Sequence, residues 1–514
     1  MNSKITKPIL FLLVAISFIS CSEKEDLIAD LGTNFCADIQ RNDSLSLSKE
    51  LADISHLMET KTGVYVLEDG AGSMITRGWL TEYAEESINI QYFIFSTDNV
   101  GLIACDYLVR AADRGVKVNI LVDDIMVNTG IQDILTLNSH ENIAIKIYNP
   151  GVNLGKNLFS KVKKFTTDFR SANQRMHNKT FIVDNKVVIT GGRNIADEYF
   201  DYDHEYNFRD RDVLLLGKTT KEVTKSFYEF WTDSLSVPVT DLNTEEPLNV
   251  SDPDRFERLH EYACNPENFW PAVRVRLDSF PSDFKRAQQA GRITWLDSME
   301  FVSDDPGKND GTHGLGGGGK TTTALAQLVQ KAKSTIDIQS PYLITTDESR
   351  QLFKDAVDRG VKVRILTNSL ASTDNVEAFS SYQSDRAKLL ATGVEVYEFR
   401  PDAEERTKIM TGELQVTLEE MPIFGLHAKS MVVDGEIAVI GTFNLDPRSA
   451  NLNTECIAII PSSEIAQSVL AGMETEFQPQ NSWQTTLTSN PDSLVGKGKR
   501  FKTWTRKILP QDIL

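Results

Sequence analysis

The chain is poor in cysteine and carries no excess of positive charge. Its 514 residues include five cysteines, and none of them forms a CxxC pair, so neither a disulfide scaffold nor a zinc knuckle is predicted. Lys and Arg number 54 against 73 Asp and Glu, a formal net charge of −19. A chain this acidic repels polyphosphate at long range, which argues against a general nucleic-acid coat protein. The hydrophobic content of 40% and charged content of 25% exclude a disordered or multi-span membrane chain.

The N-terminus has an apolar run from Ile9 to Ile19 that is too short to span a hydrocarbon core of ~30 Å. Lys4 and Lys7 precede it, as in a signal peptide. Cys21 follows, and the segment resembles a bacterial lipoprotein signal, which implies cleavage after residue 20 and a diacylglycerol on the Cys21 sulfur. The alternative is a plain secretory signal with an incidental cysteine. Either way we expect export, a polar tether over residues 21–60, and an environment in which a disulfide can form.

The rest of the chain contains an internal repeat. The string DRGVKV occurs at residues 113–118 and again at 358–363, each time after a strand-like segment and a helix with apolar residues at helical spacing. Gly115 fits the end of the first helix, and apolar strands are predicted over 116–122 and 361–366. The sequence therefore predicts two duplicated α/β lobes, 61–236 and 307–514, joined by a connector over 237–306 with a short helix near 255–263.

Each predicted lobe carries the same downstream motif, HxK(x)4D(x)6G(x)2N. The residues of the two copies are His177, Lys179, Asp184 and Asn194, and His427, Lys429, Asp434 and Asn444. Residues two apart on a strand share a face, so each histidine is expected beside its lysine. The two aspartates fall between apolar runs, which predicts hairpin turns and makes them orienting residues rather than acids or bases.

A single His-x-Lys pair is usually an ordinary strand-surface pair, but its recurrence at matching spacing inside a duplication favours a shared site. Two imidazoles, two ammonium groups and two amides would form a cationic cup suited to a phosphate. The lysines would supply positive charge there, so we expect neither a metal nor a cofactor.

These motifs resemble those of the phospholipase D superfamily. The segments Arg175–Lys179 and Gly191–Phe200, and Ser340–Tyr342 after the repeated strand, are similar to the type C-like group of bacterial cardiolipin synthases. The resemblance implies a duplicated bilobed α/β fold with pseudo-twofold symmetry, in which two mixed sheets are flanked by helices. It also implies one active site at the interface of the lobes.

The resemblance further implies that one histidine attacks phosphorus, forming a covalent phosphatidyl-histidine, while the other acts as acid and then base. It assigns these roles to His177 and His427 respectively, although both motif copies are intact and the residues alone do not distinguish them. Orienting carboxylates are expected on the outer imidazole nitrogens. Glu455 resembles one of them; Asp210 is the candidate for the other, with Asp212 as the alternative. A solvated strand edge is the competing interpretation of these acids.

The implied function is a phosphatidyltransferase of the cardiolipin synthase type, anchored to a membrane of the bacterial cell envelope. Its expected partners are a membrane surface and phospholipid substrates, phosphatidylglycerol or also phosphatidylethanolamine; no nucleic acid and no obligatory protein partner are expected. Hydrolysis of phospholipid to phosphatidic acid is the near alternative, since water and alcohol compete for the same intermediate. A phosphodiesterase nuclease and a non-catalytic lipid-binding module are more distant ones.

Two further strings are weaker signals. Residues 314–321 match the P-loop pattern GxxxxGK[ST], but no buried strand leads directly into them, so we interpret them as a glycine loop before a helix. The basic run 497–507 contains two aromatic residues. It fits either contact with anionic lipid headgroups or a solvated tail. Among the histidines outside the motifs, His204 lies nearest to the first motif in sequence.

Overall fold

A computed structural model describes residues 45–124, 136–150, 174–203, 205–242, 254–268, 271–308, 316–409 and 421–507. Cys21 and His204, singled out in the sequence, lie outside these residues. The described residues form two large mixed β-sheets, one in each predicted lobe, with helices packed against them.

The sheet of the first lobe has nine strands in the order β10-β1-β8-β6-β5-β2-β3-β4-β9. Strands β2, β3 and β4 run parallel, and the remaining pairs are antiparallel. The strands are β1 Thr62–Leu67, β2 Ser87–Tyr92, β3 Lys117–Asp123, β4 Ile143–Tyr148, β5 Thr180–Val183, β6 Val187–Gly191, β8 Asp212–Gly217, β9 Ser236–Pro238 and β10 Thr294–Leu296.

The sheet of the second lobe has eight strands in the order β11-β18-β17-β16-β12-β13-β14-β19. From β18 to β19 this order repeats the order β8 to β9 of the first sheet, which confirms the duplication of an α/β unit. The strands are β11 Glu300–Ser303, β12 Thr335–Gln339, β13 Lys362–Asn368, β14 Glu395–Phe399, β16 Ser430–Val433, β17 Ile437–Gly441, β18 Cys456–Ile460 and β19 Ser482–Thr485. Two short strands, β7 Tyr206–Arg209 and β15 Ile423–Leu426, pair with each other across the lobes.

Helices connect and cover the strands. Their bounds are α1 Leu47–Glu50, α2 Ser55–Met58, α3 Gly70–Tyr83, α4 Asn99–Asp113, α5 Thr220–Thr232, α6 Arg255–Cys264, α7 Pro271–Gln289, α8 Lys320–Lys331, α9 Asp347–Asp358, α10 Val376–Leu390, α11 Arg406–Ile409, α12 Pro447–Asn451, α13 Ser463–Glu476 and α14 Lys497–Arg506. The repeated DRG ends both α4 and α9, and Gly115 and Gly360 follow with φ of 92° and 89°, a left-handed conformation that glycine adopts without strain.

The two lobes share a central apolar core. Alternation along a strand places Ile182 and Val432 in this central cluster, whereas their neighbours Phe181 and Met431 pack against the outer helices of their own lobes. Residues of α5 and α13 complete the centre. Burial of apolar side chains from both sheets in one cluster holds the lobes in a fixed relative position.

The segment 237–306 is more structured than the sequence indicated. Its predicted short helix is α6, but the longer α7 and the strands β10 and β11 were not predicted. Strand β10 extends the first sheet beside β1, and β11 extends the second beside β18, so the segment contributes to both sheets. Within the described ranges, no helix is long and apolar enough to cross a membrane.

Candidate active site

Both predicted hairpins are present, and they carry the two motifs. Strands β5 and β6 are joined by a tight turn in which Asp184 and Asn185 have φ of 51° and 55°; Asp434 and Gly435 have 55° and 65° between β16 and β17. Positive φ at both central positions is the turn that matches strand twist in two-residue hairpins. The His-x-Lys segments lie immediately before β5 and β16.

The aspartates of the motif fasten each hairpin to the start of the neighbouring strand. The carboxylate of Asp184 accepts hydrogen bonds from the backbone N–H groups of residues 85, 86 and 87 at 2.7–2.9 Å. That of Asp434 accepts from residues 333, 334 and 335 at 2.7–3.1 Å. Both carboxylates are therefore engaged at the turn end of the hairpin, where they order the backbone and have no contact with the histidines.

The backbone of each His-x-Lys segment pairs with the other lobe. Strand β15, which ends one residue before His427, runs parallel to β7, and the His427 N–H donates to the Arg209 carbonyl at 2.8 Å. In the other half, the His177 N–H donates to the Thr454 carbonyl at 3.0 Å. Asp210 and Glu455 are the next residues after these two carbonyls. The pairing therefore carries each acid across the interface to the histidine of the opposite lobe.

Two crossed histidine–carboxylate pairs result. His177 Nδ1 lies 2.8 Å from Glu455 Oε2, and His427 Nδ1 lies 2.6 Å from Asp210 Oδ2. Asp212, the alternative to Asp210, instead accepts hydrogen bonds from Ser73 and Arg77 at 2.8 and 3.0 Å. Each carboxylate fixes its imidazole by the Nδ1 edge, which directs Nε2 away from the carboxylate.

Equivalent residues at the ends of two buried strands accept hydrogen bonds from the backbone of the two His-x-Lys segments. Asp123, the last residue of β3, accepts from the Met176 N–H at 2.8 Å. Asn368, the last residue of β13, accepts from the Leu426 N–H at 2.8 Å. The residue before each histidine is thus fixed by the carboxyl end of a parallel strand, the usual location of sites in α/β sheets.

Burial sets the charge state of the basic groups. The Lys179 ammonium donates to the His177 carbonyl at 2.9 Å, and that of Lys429 lies 3.0 Å from His427 Nε2. Burial lowers the pKa of Lys179 to about 7 and that of Lys429 to about 8. Burial and these two ammonium groups also lower the pKa of His177 well below its ordinary value, so its imidazole is neutral.

The two pairs differ electrostatically. Burial lowers the pKa of His427 to about 4 and Lys429 adds to this, while Asp210 opposes it. Burial acts to raise the pKa of Asp210, but His427 and Lys429 outweigh it and keep that carboxyl ionised. Burial raises the pKa of Glu455 to about 7, against the effect of Lys179. The Asp210 charge therefore favours an imidazolium at His427 more than Glu455 does at His177.

Both histidines line one cavity of about 380 Å³. Asn194 lines it too; the Asn194 side-chain carbonyl accepts from the Ile94 N–H at 3.0 Å, while its amide N–H group faces the Tyr199 hydroxyl. Asn444 is buried but is not part of this wall, and its side-chain oxygen has no hydrogen-bond partner among the described residues. Of the six His, Lys and Asn residues in the two motif copies, three line this cavity: the two histidines and Asn194.

Aromatic rings and acidic groups complete the cavity, and the sequence patterns did not indicate them. Phe93 packs edge-on against His177 at 5.0 Å between ring centroids, and Tyr199 and Phe208 flank His427 at 5.0 and 4.7 Å. The rim contains three carboxylates, Glu198, Asp203 and Asp374. Burial raises the pKa of Glu198 to about 7. Isolated aromatic and acidic residues have no periodicity, so only their place in the folded structure reveals that they line the cavity.

Asp304 is a further supporting residue that the sequence did not reveal. Its N–H donates to the Glu455 carbonyl at 2.9 Å, and its Oδ2 accepts from the Glu455 N–H at 3.0 Å. The same carboxylate accepts from the Thr321 N–H and hydroxyl at 2.9 and 2.8 Å. Lys320 pairs with Asp305. The Lys and Thr of the P-loop-like string thus bind carboxylates, as expected for a loop that is not a nucleotide site.

The absence of a side chain at Gly192 leaves room for the Asp210 carboxylate. A Cβ at Gly192 would lie 2.0 Å from Asp210 Oδ1, far inside van der Waals contact. We therefore expect Gly192→Ala to displace the carboxylate from His427 and to lower kcat by at least about tenfold, since loss of such an orienting acid costs up to about 10⁴-fold. Steady-state kinetics measure this.

The control for this substitution is Gly472→Ala, because a Cβ at that position would meet its nearest heavy atoms at 3.6 Å and beyond, an ordinary van der Waals contact. The two variants should unfold at similar temperatures to the parent protein. Equal kcat for Gly192→Ala and the parent would show that Asp210 need not occupy its observed position.

The described residues contain no cluster of His, Cys, Asp and Glu arranged to hold a metal ion.

Among known proteins, the family model described as "Cardiolipin synthase, PLD-like domain" matches residues 81–231 and 325–477, one match in each lobe. Cardiolipin synthase C of Escherichia coli is 34% identical over 423 residues, which cover 79% of this chain and 83% of that protein. An uncharacterized protein of Helicobacter pylori is 33% identical over 424 residues, 82% of this chain and 80% of its own length.

A solved structure supports the fold. The phosphatidylserine synthase of Haemophilus influenzae matches with a TM-score of 0.57 at 13% sequence identity, covering 91% of this chain and all of that one. At this identity the match concerns the bilobed architecture alone.

Proposed function

The chain belongs to the cardiolipin synthase family of phospholipase D-like phosphatidyltransferases, and from this we propose that it transfers a phosphatidyl group through a covalent phosphatidyl-histidine. The observation that carries the proposal is the pair of crossed His–carboxylate contacts beside one cavity. Two imidazoles with different carboxylate partners suit a nucleophile and a proton carrier acting on the same phosphodiester.

In the first step, His177 Nε2 attacks the phosphorus of a donor phospholipid. A P–N bond forms, and the P–O bond to the headgroup breaks. His427 delivers its proton to the departing alcohol oxygen, which leaves as free glycerol when the donor is phosphatidylglycerol. Lys179, Lys429 and the Asn194 amide would balance the charge on the phosphoryl oxygens.

In the second step, the roles of His427 reverse. Its neutral imidazole takes the proton from the headgroup hydroxyl of a second phospholipid as that oxygen attacks phosphorus. The P–N bond breaks, a new P–O bond forms, and His177 is restored. With phosphatidylglycerol as acceptor the product is cardiolipin, and with water it is phosphatidic acid.

The electrostatics support the assignment of His177 as nucleophile. Its pKa is lowered by burial and by Lys179 and Lys429, which favours the neutral ring that an attack requires. His427 contacts the ionised Asp210, which opposes the lowering of its pKa by burial and Lys429 and so favours protonation of His427 over His177. The acidic rim suits headgroups that donate hydrogen bonds, such as the glycerol hydroxyls of phosphatidylglycerol or the ammonium of phosphatidylethanolamine.

Export and a lipid anchor at Cys21 remain part of the proposal. The apolar run from Ile9 to Ile19 after Lys4 and Lys7, with Cys21 shortly behind it, supports this part of the proposal.

Mass spectrometry of lipids tests the function. The purified protein and its His427→Ala variant are each given phosphatidylglycerol, with and without phosphatidylethanolamine. We expect cardiolipin from the parent protein and a loss of roughly 10²–10⁴-fold in the variant, because general acid–base catalysis is removed. Cardiolipin formation unchanged by the substitution would refute the proposal, and phosphatidic acid as sole product would establish a hydrolase.

A further inference from the structure

The most exposed large hydrophobic side chains of the described residues lie close together in sequence. Leu487, Leu494, Phe501 and Trp504 are 68%, 67%, 65% and 65% exposed, whereas no other large hydrophobic side chain in the described ranges exceeds 44%. Scattered exposed hydrophobic residues are normal, but a concentration of this kind marks an interaction surface.

Two of these residues lie on the outer face of α14. Thr503 is buried and Lys499 is half-buried on the inner face, while Phe501 and Trp504, three residues apart, stack at 5.9 Å with an interplanar angle of 27°. A helix that merely covers a core turns its apolar residues inward. Here the aromatic residues face solvent.

Exposed cations surround the aromatic pair. Lys497, Arg500, Lys502 and Lys507 are exposed and have no ion-pair partner within the described part of the chain. They stand out on a chain of net charge −19. Aromatic rings flanked by unpaired lysine and arginine are the pattern of helices that lie in the interface of an anionic bilayer.

The helix lies beside the entrance of the active-site cavity. The Lys499 ammonium donates to the Thr373 carbonyl at 3.2 Å, and Arg506 pairs with Glu377 at 3.0 Å. Asp374, the residue after Thr373, lines the cavity together with both histidines. Contact of α14 with a membrane would therefore bring the cavity entrance to the lipid headgroups.

We propose that α14 is an interfacial docking helix that seats the active-site entrance on an anionic phospholipid bilayer. Phe501 and Trp504 enter the boundary between headgroups and acyl chains, and the four exposed cations contact anionic headgroups. This proposal rests on the proposed function in one respect: the substrate that the entrance must reach is a membrane lipid. Its test therefore reads membrane contact without turnover, in the full chain carrying His427→Ala.

Trp504 is a native probe of this contact. The difference in fluorescence between the parent protein and the Trp504→Phe variant is the contribution of Trp504. Vesicles with brominated acyl chains that contain both phosphatidylglycerol and phosphatidylcholine should quench this contribution. Brominated vesicles of phosphatidylcholine alone should quench it much less. The matched control is Trp231→Phe, because Trp231 is half-buried and stacks on Phe227. A lipid anchor at Cys21 does not produce this signal, since the readout is the depth of Trp504 itself.

Charge neutralisation gives the second arm of the test. We expect the variant K497Q/R500Q/K502Q/K507Q to need at least tenfold more anionic lipid for half-maximal quenching of Trp504, because each cation near such a surface is worth about fivefold in binding. The matched control K221Q/K285Q/K331Q/K333Q removes four exposed cations elsewhere that likewise have no ion-pair partner among the described residues, and it should bind as the parent does.

Two outcomes would overturn the proposal. One is a Trp504 that brominated lipids do not quench and that stays equally accessible to iodide with and without anionic vesicles. The other is equal weakening in both neutralised variants, which would indicate attraction by overall charge. Either outcome is compatible with the proposed chemistry, so failure of the docking helix and failure of the catalytic function are distinguishable.

Discussion

When the His427→Ala variant is given a phosphatidyl ester of p-nitrophenol, we expect a burst of p-nitrophenol and a phosphatidyl group left on His177. p-Nitrophenolate is a stable anion and leaves without a proton, so the first step no longer needs the general acid. The second step still needs His427 to deprotonate the acceptor, so the covalent intermediate accumulates. With phosphatidylglycerol as donor, the same variant should lose about 10²–10⁴-fold in turnover.

Intact-protein mass spectrometry and peptide mapping measure this adduct. His177→Ala should give neither burst nor adduct, whereas His56→Ala, at an exposed histidine far from the motifs in sequence, should behave as the parent protein. An adduct on His427 in the His177→Ala variant would reverse the assignment of roles. Absence of an adduct in every variant would contradict the covalent pathway.

The sequence predicted the parts of the site that depend on local pattern. An apolar run, Asp-Asn or Asp-Gly, and another apolar run specify a hairpin whatever surrounds them, and both hairpins are present at residues 180–191 and 430–441. The repeat placed the hairpins at equivalent positions, and the matching strand order of the two sheets follows from that duplication. Predicted strands 116–122 and 361–366 differ from β3 and β13 by one or two residues.

The partners of the histidines depend on contacts between distant segments, and no local pattern encodes them. Asp210 and Glu455 were candidates, but which acid serves which histidine depended on the pairing of β7 with β15 and of residue 454 with the segment before His177. These contacts cross the lobe interface, so they become visible only when the lobes are packed together. Strands β10 and β11 were missed for a related reason: three or four residues are too few to show a period, and the sheet edges they extend fix them as strands.

The crossed pairing predicts that the effect of substituting Asp210 depends on the leaving group, whereas the effect of substituting Glu455 does not. Asp210→Asn deprives His427 of the charge that stabilises its imidazolium, so turnover of phosphatidylglycerol should fall by about 10²–10⁴-fold. The p-nitrophenyl ester needs no general acid, so release of p-nitrophenol in the first step should fall far less. Glu455→Gln weakens the orientation of the nucleophile His177, so it should slow the first step with both substrates to a similar degree.

Pre-steady-state release of each leaving group separates these cases. The ratio of the first-step rates for the two substrates should change strongly in Asp210→Asn and little in Glu455→Gln. Asp212→Asn is not a matched control, because Asp212 binds Arg77 and Ser73 in the core. Asp402→Asn is suitable, because Asp402 is exposed and pairs with Arg400 at the surface. This variant should leave both rates unchanged. If Asp210 served the nucleophile instead, its variant would slow both substrates equally. That result would show that the contact at 2.6 Å between Asp210 and His427 is not the one used in catalysis. The expected result would show that each catalytic histidine depends on a carboxylate from the opposite lobe.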